Sequence, residues 1–438
     1  MKTVKLIMVT AQNNNKYYDM VDNGDGTFTA IWGRVDATRT ETKYPIDKWD
    51  SQYKSKCAKG YKDVTHLHVV ETQPAAKTQI ADISDASIND ILRRIQKWAN
   101  KSVEENYTIS SSKVTPAMVA EAQRIMNALA EFVNRLPHKK PINDTQLAEF
   151  NQKLLDMFTA LPRRMSDTRK HVVKNVDEDG VAISAVLLRE KIQQTVSREQ
   201  DILDSLAAVV SIDALPDDAP KADKITLLDR LGITMEKGDS ELEKQVKKAL
   251  GKISDKFVAC FKVVHKKSRS RFDAHVAKAT SKRVGFYWHG SRNENWLGLI
   301  EKGLLIRPSG AVHTGSMFGD GIYGCLAWGQ KSADDTTTAY GDAKQANKSY
   351  GYTSGRGTYW ANGKSDTAIM AIFECHVGKR YQVKNHTSEC YGINEAWLKR
   401  KGGYDSVWAM GGADLQNDEH IFYNVAQTTI HALVELRG

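Results

Sequence analysis

Three residues in the last 150 of this 438-residue chain have side chains and surroundings suited to breaking a glycosidic bond. They are His289 in Trp288-His289-Gly290-Ser291, Tyr323 at the end of Met317-Phe318-Gly319-Asp320-Gly321-Ile322-Tyr323, and Glu419 near the C-terminus. Aromatic rings can clamp a planar leaving group, and a carboxylate can steady the oxocarbenium-like sugar that forms as the bond breaks. Each residue alone has an ordinary reading. A histidine after an aromatic strand is commonly a satisfied structural residue, Tyr323 fits an amphipathic core, and Glu419 fits a solvated strand end. Order, flanks and company set the three apart. The strand around 285–288 ends in His289-Gly290-Ser291 and leads into a helix over 293–302, where Trp296, Leu299 and Ile300 form a stripe and Gly303 supplies the stop. A polar triplet therefore sits beside a helix N-terminus.

Gly319-Asp320-Gly321-Ile322-Tyr323-Gly324 also matches the dinucleotide fingerprint G-x-G-x-x-G. A true fingerprint follows an apolar parallel strand and opens a helix. Here Gly315-Ser316-Met317-Phe318 precedes it and a polar segment follows, so the sequence argues against a hydride-transfer enzyme of that type.

The His-Gly-Ser triplet, the Gly-x-Gly-Ile-Tyr run and a Glu opening the penultimate strand together resemble the transferase domain of the poly(ADP-ribose) polymerases. The resemblance implies that NAD is a consumed substrate and that His289, Tyr323 and Glu419 are the catalytic triad. It gives His289 the adenosine-side ribose hydroxyls, Gly290 and Ser291 the nicotinamide amide, and Tyr323 one face of the nicotinamide ring. Glu419 then bonds the ribose 2′-hydroxyl and polarises the attacking hydroxyl. A second tyrosine, three residues after a serine, should cover the other face. Lys331-Ser332 has nearly the family spacing but carries Asp335 where Tyr is needed, whereas Lys348-Ser349-Tyr350-Gly351-Tyr352 has the pattern after an insertion. Ser349 and Tyr352 are preferred, since loops absorb insertions at small entropic cost, and 330–347 is expected as a surface excursion. Met317 matches the acceptor-side methionine, while Asp320 stands where many polymerases carry Lys. Arg307 is the candidate for the adenine end, in a shifted geometry.

The N-terminal 75 residues place Ile31-Trp32-Gly33-Arg34-Val35 after the turn-rich Asp22-Asn23-Gly24-Asp25-Gly26-Thr27, which reads as a β-hairpin. With the lysines at 43, 48, 54, 56, 59 and 62 this resembles the WGR domain found with these transferases. The resemblance implies DNA-end binding through Trp32 and Arg34, with Lys43, Lys48 and Lys54 facing phosphates. A core tryptophan and a solvated lysine face is the alternative. Residues 77–218 read as helical: Ile88, Ile91, Leu92, Ile95 and Trp98 keep helical spacing, as do Met118, Ile125, Leu129, Phe132, Val133 and Leu136. Thr115-Pro116 is a helix start, and further helices fit 144–161 and 182–210. This resembles the regulatory helical domain of the DNA-dependent members. A proline-bearing linker, Asp213 to Pro220, precedes the last domain.

The expected fold class is thus multidomain α+β, with a small β-rich WGR domain at 1–76, an all-α helical regulatory domain at 77–218 and an α+β ADP-ribosyltransferase domain at 219–438. A net charge of +9 and a pI of about 9.0 suit a polyanion partner. Residues 244–283 alone hold thirteen Lys or Arg against two Asp. Five cysteines show no ligand spacing, so no metal is expected and a reducing compartment is. With neither a signal peptide nor a transmembrane run in the sequence, no membrane partner is expected. The expected partners are DNA ends or nicks and acceptor proteins including the chain itself. The chain is expected to be monomeric, and nuclear in a eukaryotic host or cytoplasmic otherwise. Two rival functions stay open: a constitutive mono-ADP-ribosyltransferase and a catalytically silent DNA-end adaptor.

Overall fold

The computed structural model describes residues 2–68, 79–107, 114–136, 141–213, 224–306, 317–330, 337–356, 364–412 and 415–438. They form a mixed α/β protein in two compact units, one holding 2–68 and 101–213 and the other 79–100, 224–306 and 317–438. The expected domain boundaries at 76–77 and 218–219 lie outside the described residues.

In the first unit, β1 (Thr3–Thr10), β2 (Asn14–Asp22), β3 (Thr27–Arg34), β4 (Thr40–Pro45) and β5 (Lys62–Asp63) form a sheet in the order β4-β3-β2-β1-β5. The expected hairpin is β2–β3, pairing Asp22 with Phe28. Alternating side chains put Leu6, Tyr18, Met20, Phe28 and Ala30 on one face, where Trp49 of α1 (Trp49–Ala58) covers them. The helical segment is α2 (Ala86–Asn106), whose last turn belongs to this unit, α3 (Pro116–Arg135), α4 (Asp144–Ala160) and α5 (Ala185–Asp213). Thr115 caps α3 by accepting from the Met118 N–H, with Pro116 in the first turn, and Asn143 with Gln146 makes a capping box on α4.

Arg163 and Glu199 are the buried charges of this unit, 3% and 1% exposed in their side chains and 3.3 Å apart. Arg163 also donates to the Asn106 carbonyl and lies over the Tyr107 ring. Removing Arg163 leaves the buried Glu199 carboxylate with only the half-exposed Arg198 among the described residues. Arg163→Ala should therefore cost about 3–5 kcal/mol of this unit's stability, read as the shift in its denaturant midpoint; a change under about 1 kcal/mol would mean the pair is solvated.

In the second unit, β6 (Gln79–Ala81) pairs in parallel with β7 (Lys224–Thr226), followed by α6 (Leu227–Leu231), β8 (Ile233–Lys237), α7 (Ser240–Leu250), β9 (Phe257–His265) and α8 (Lys266–Lys278). Then come β10 (Val284–Gly290), α9 (Trp296–Lys302), β11 (Ile322–Gln330), β12 (Thr338–Tyr340), α10 (Ala343–Gly351), β13 (Thr367–His376) and β14 (Arg380–Val383). The chain ends with α11 (Glu395–Gly402), β15 (Ser406–Ala409), β16 (Glu419–Phe422) and β17 (Thr428–Arg437). The main sheet runs β14-β15-β16-β11-β10-β13-β17-β9-β8, with β12 added on β11. The central β13 is covered on both faces, with Ala368 to Phe373 at most 1% exposed, which explains why that stretch is apolar without alternation. The expected surface excursion at 330–347 is corrected in part. Residues 338–340 add a strand, and Asp342 caps α10 from 343 onward by accepting from the Lys344 N–H, so a polar sequence hid a capped helix. Among the described residues no helix is long and apolar enough to cross a membrane.

His420 of β16 is 3% exposed, and burial, then Arg380 and Arg283, push its pKa from 6.5 down to about 3. The unfolded chain takes up this proton below pH 6.5 and the folded chain does not until about pH 3, so the contribution present above pH 6.5 is lost as pH falls. The slope is about 1.4 kcal/mol per pH unit. Melting of wild type should fall more steeply between pH 6.5 and 5 than that of His420→Gln, and parallel curves would refute a neutral buried imidazole.

Candidate active site

The three sequence candidates sit on three adjacent strands, in the order β10, β11, β16. His289 is next to last on β10, Tyr323 is second on β11 and Glu419 opens β16. Antiparallel pairing sets them: Trp288 opposes Cys325, and Tyr323 and Gly324 oppose Ile421 and His420. The His289 ring is gripped edge-on by Trp296 of α9 at 6.3 Å and Phe373 of β13 at 6.0 Å, so the helix and the neighbouring strand together fix its direction.

Tyr323 is held through its hydroxyl, which accepts from the Phe318 N–H and donates to the Gly319 carbonyl. Burial, with Glu419 and Asp320 adding negative charge, raises its pKa well beyond the tyrosine range, so the hydroxyl stays protonated. The G-x-G-x-x-G run opens an antiparallel strand rather than a helix. Its first glycine serves packing: Gly319 has φ +78°, and a Cβ there would fall 2.0 Å from the Ile393 carbonyl oxygen. This disposes of the dinucleotide fingerprint.

Glu419 is 9% exposed. One carboxylate oxygen takes the Lys348 ammonium of α10, and the other is buried without a hydrogen-bond partner among the described residues. Burial alone would lower the Lys348 pKa, but the charge of Glu419 outweighs it and the net shift is upward, so lysine is the standing counter-charge. Ser349, the next residue of α10, is 4% exposed, and its backbone presses on β10: a Cβ on Gly290 would fall 1.9 Å from the Ser349 carbonyl oxygen. Tyr352 terminates α10, donates its N–H to the Ser349 carbonyl and contributes to the field at Lys348. One helix thus brings Lys348, Ser349 and Tyr352 to the strands that carry Gly290 and Glu419. Cys325 lies in the same cluster, its thiol pushed up to about 11 by burial.

The remaining candidates divide by place. Ser291 follows β10 directly and its hydroxyl accepts from the Asn295 amide. Met317 and Asp320 are half-buried just before β11, and the Met317 carbonyl accepts from His386. Arg307 and the alternative Lys331-Ser332 with Asp335 lie outside the described residues. Trp32, Arg34, Lys43, Lys48 and Lys54 are in the first unit. Trp32 is half-buried and stacked on Tyr18 at 5.7 Å. Arg34 donates to Asn13 and to the Ser166 carbonyl, which makes it a tie between the N-terminal sheet and the segment after α4. Lys43 is paired with Asp25, and Lys48 and Lys54 are exposed. Local sequence gives Lys348 no role beyond a motif flank, and Cys325 is one of five cysteines without ligand spacing. Among the described residues no group of three His, Cys, Asp or Glu could hold a metal ion.

Comparison with known proteins places this geometry. Residues 239–332 match the poly(ADP-ribose) polymerase catalytic domain. The chain is 31% identical over 204 residues to "Uncharacterized protein 101L" of Invertebrate iridescent virus 6, spanning 47% of this chain and 76% of that protein. It is 28% identical over 189 residues to the "Putative poly [ADP-ribose] polymerase-like 100L" of the same virus, spanning 43% of this chain and 89% of the relative. Against the poly [ADP-ribose] polymerase of Drosophila melanogaster the identity is 27% over 194 residues, 41% of this chain and 18% of the fly protein. The strands that carry His289 and Tyr323 fall inside the matched domain, and with these relatives they establish that the chain belongs to the poly(ADP-ribose) polymerase family, as an ADP-ribosyltransferase whose substrate is NAD.

Proposed function

We propose that this chain is a DNA-break-stimulated protein poly-ADP-ribosyltransferase, which releases nicotinamide and modifies itself and other proteins in the response to DNA damage. It acts as a monomer, in the nucleus of a eukaryotic host or otherwise in the cytoplasm. The observation that carries the chemistry is the Glu419 carboxylate: one oxygen fixed by Lys348, the other buried and unpartnered. An orphan buried acceptor is costly unless a donor arrives, and a ribose 2′-hydroxyl is such a donor.

In this reading the rings of Tyr323 and Tyr352 sandwich the nicotinamide, the backbone at Gly290 with Ser291 and Ser349 holds its amide, and His289 holds the adenosine-side ribose. Arg307 serves the adenine end. The bond from C1′ to the nicotinamide nitrogen breaks, its electron pair leaving with nicotinamide. The acceptor oxygen then bonds C1′ as its proton passes to Glu419 or solvent, with Met317 and Asp320 on the acceptor side. The reading needs no metal. Tight placement supplies much of the rate, which suits a site built from strand ends and one helix terminus.

The DNA reading is supported by the resemblance of the N-terminal sheet to a WGR domain and by exposed Lys48 and Lys54 in the same unit as Trp32. The tie from Arg34 to Ser166 offers a route by which binding at the sheet favours another state of the helices, provided DNA binds that state better. Labelled NAD, incubated with and without nicked or blunt duplex, should give DNA-stimulated ladders that weaken with salt. Single units at a rate indifferent to DNA would mean a constitutive mono-transferase, and intact NAD under every condition a silent adaptor.

A further inference from the structure

The second unit holds a cavity of about 330 Å³ that the proposed chemistry does not use. It is lined by Arg283, Arg380 and Lys344, with Gln345, Trp408 and His420. Asp418 and His420 line it while Glu419 stands between them, and successive strand residues point to opposite faces, so the cavity is on the reverse face of β16 from the Glu419 carboxylate.

Arg380 is the informative residue. Its guanidinium lies over the Trp408 ring, 4.6 Å from the centroid, and among the described residues it has no hydrogen bond or ion pair. Burial, then the nearby Arg283, lowers its pKa, partly offset by Asp418, while Arg283 itself donates to the Gln330 carbonyl. His420 beside them stays neutral. The acids in the lining are committed: Asp418 accepts from the Trp408 indole and the Gly411 N–H, and Asp342 caps α10. Gln345 is 6% exposed and its side-chain oxygen has no hydrogen-bond partner among the described residues. Guanidinium groups match phosphate oxygens, an orphan amide oxygen matches a hydroxyl, and the volume suits one nucleotide-sized group.

We propose that this cavity is a second ligand site, separate from the catalytic site, which binds a phosphorylated ribose of the ADP-ribose kind through Arg380, Arg283 and Gln345. The phosphate chemistry stands on the lining residues alone, while ADP-ribose as the natural supply rests on the transferase reading. The site would hold product beside the strand that carries the catalytic carboxylate.

The test is calorimetry on the full chain with ADP-ribose, inorganic pyrophosphate, adenosine and a peptide bearing one ADP-ribose unit. ADP-ribose should bind wild type, and Arg380→Gln should weaken it about tenfold or more, whereas His289→Ala, at the residue given the adenosine-side ribose of the catalytic site, should leave this binding unchanged. Pyrophosphate should compete for the site and adenosine should not. Tighter binding of the peptide would assign product attached to protein, and weaker binding free nucleotide. Unchanged affinity in Arg380→Gln, or a loss confined to His289→Ala, overturns the proposal. Lys344→Gln, at an exposed helix position, gives the same reading as a smaller loss with greater salt sensitivity, should Arg380→Gln fail to fold. Arg380-dependent ADP-ribose binding in a chain that never consumes NAD would keep the second site and discard the transferase reading.

Discussion

Glu419→Gln should lower NAD turnover by about 100-fold to 1,000-fold and leave products no longer than single units, while the chain still binds NAD. The carboxamide keeps the shape of the side chain, so the loss reports charge. In wild type the carboxylate has two separate tasks, one for each oxygen. One holds Lys348 and the other is buried with nothing to accept from. The carboxamide could turn its single oxygen toward only one of these, and its NH₂ would then face either the lysine or the sugar hydroxyl. The charge that steadies an oxocarbenium-like ribose is lost in both orientations. A structural cost accompanies the catalytic one, because Lys348 is left buried with its counter-charge removed. The two are separable. Lys348→Met with Glu419→Gln removes both charges and should recover stability relative to Glu419→Gln alone, with no recovery of turnover. Turnover within about threefold of wild type in the single variant, about 0.65 kcal/mol of transition-state effect, would remove Glu419 from the chemistry.

The parts of this molecule legible in the sequence were those where local rules and packing agree. Thr115-Pro116 starts α3 because a capping hydroxyl and a fixed φ both favour it, and Asp22 to Thr27 turns the hairpin because its glycines tolerate the bend. The resemblance to the transferase family singles out His289 and Glu419, and the structure sets both at strand ends. Lys348 was harder. Its partner is 71 residues away, and nothing in local sequence distinguishes it from the surface lysines around it. The segment 330–347 was misjudged in part because its strand and helix start are polar, and periodicity cannot reveal a helix whose apolar face is short. Arg380 and Trp408 lie on β14 and β15, which pair in parallel, so their meeting is a consequence of topology that no spacing in the sequence announces.

Gly290→Ala tests the packing that assembles the site, because its added methyl meets the backbone of α10 directly. The added Cβ would stand 1.9 Å from the Ser349 carbonyl oxygen and 2.7 Å from its carbonyl carbon. Those are backbone atoms of α10, so no rotamer change relieves the clash. Either β10 or the end of α10 must move by more than an ångström to restore ordinary contact. Inserting one methyl into such a place costs about 1–3 kcal/mol of stability. The catalytic cost should be larger in proportion, because α10 carries Lys348, Ser349 and Tyr352 while β10 carries His289. Parting the two elements separates the counter-charge and the second ring from the strand ends, and a misplacement of about 1 Å costs on the order of 100-fold in rate. Tyr352→Ala is the comparison that separates these effects. It removes one ring from a helix terminus and leaves the backbone contact alone, so NAD use should fall steeply with little change in melting. Gly290→Ala should lower both, with no gain in NAD use at higher substrate concentration, since the fault is placement rather than affinity. Near-normal turnover in Gly290→Ala would mean that α10 does not rest against β10 in the working enzyme, and the roles given to Ser349 and Tyr352 would fall with it.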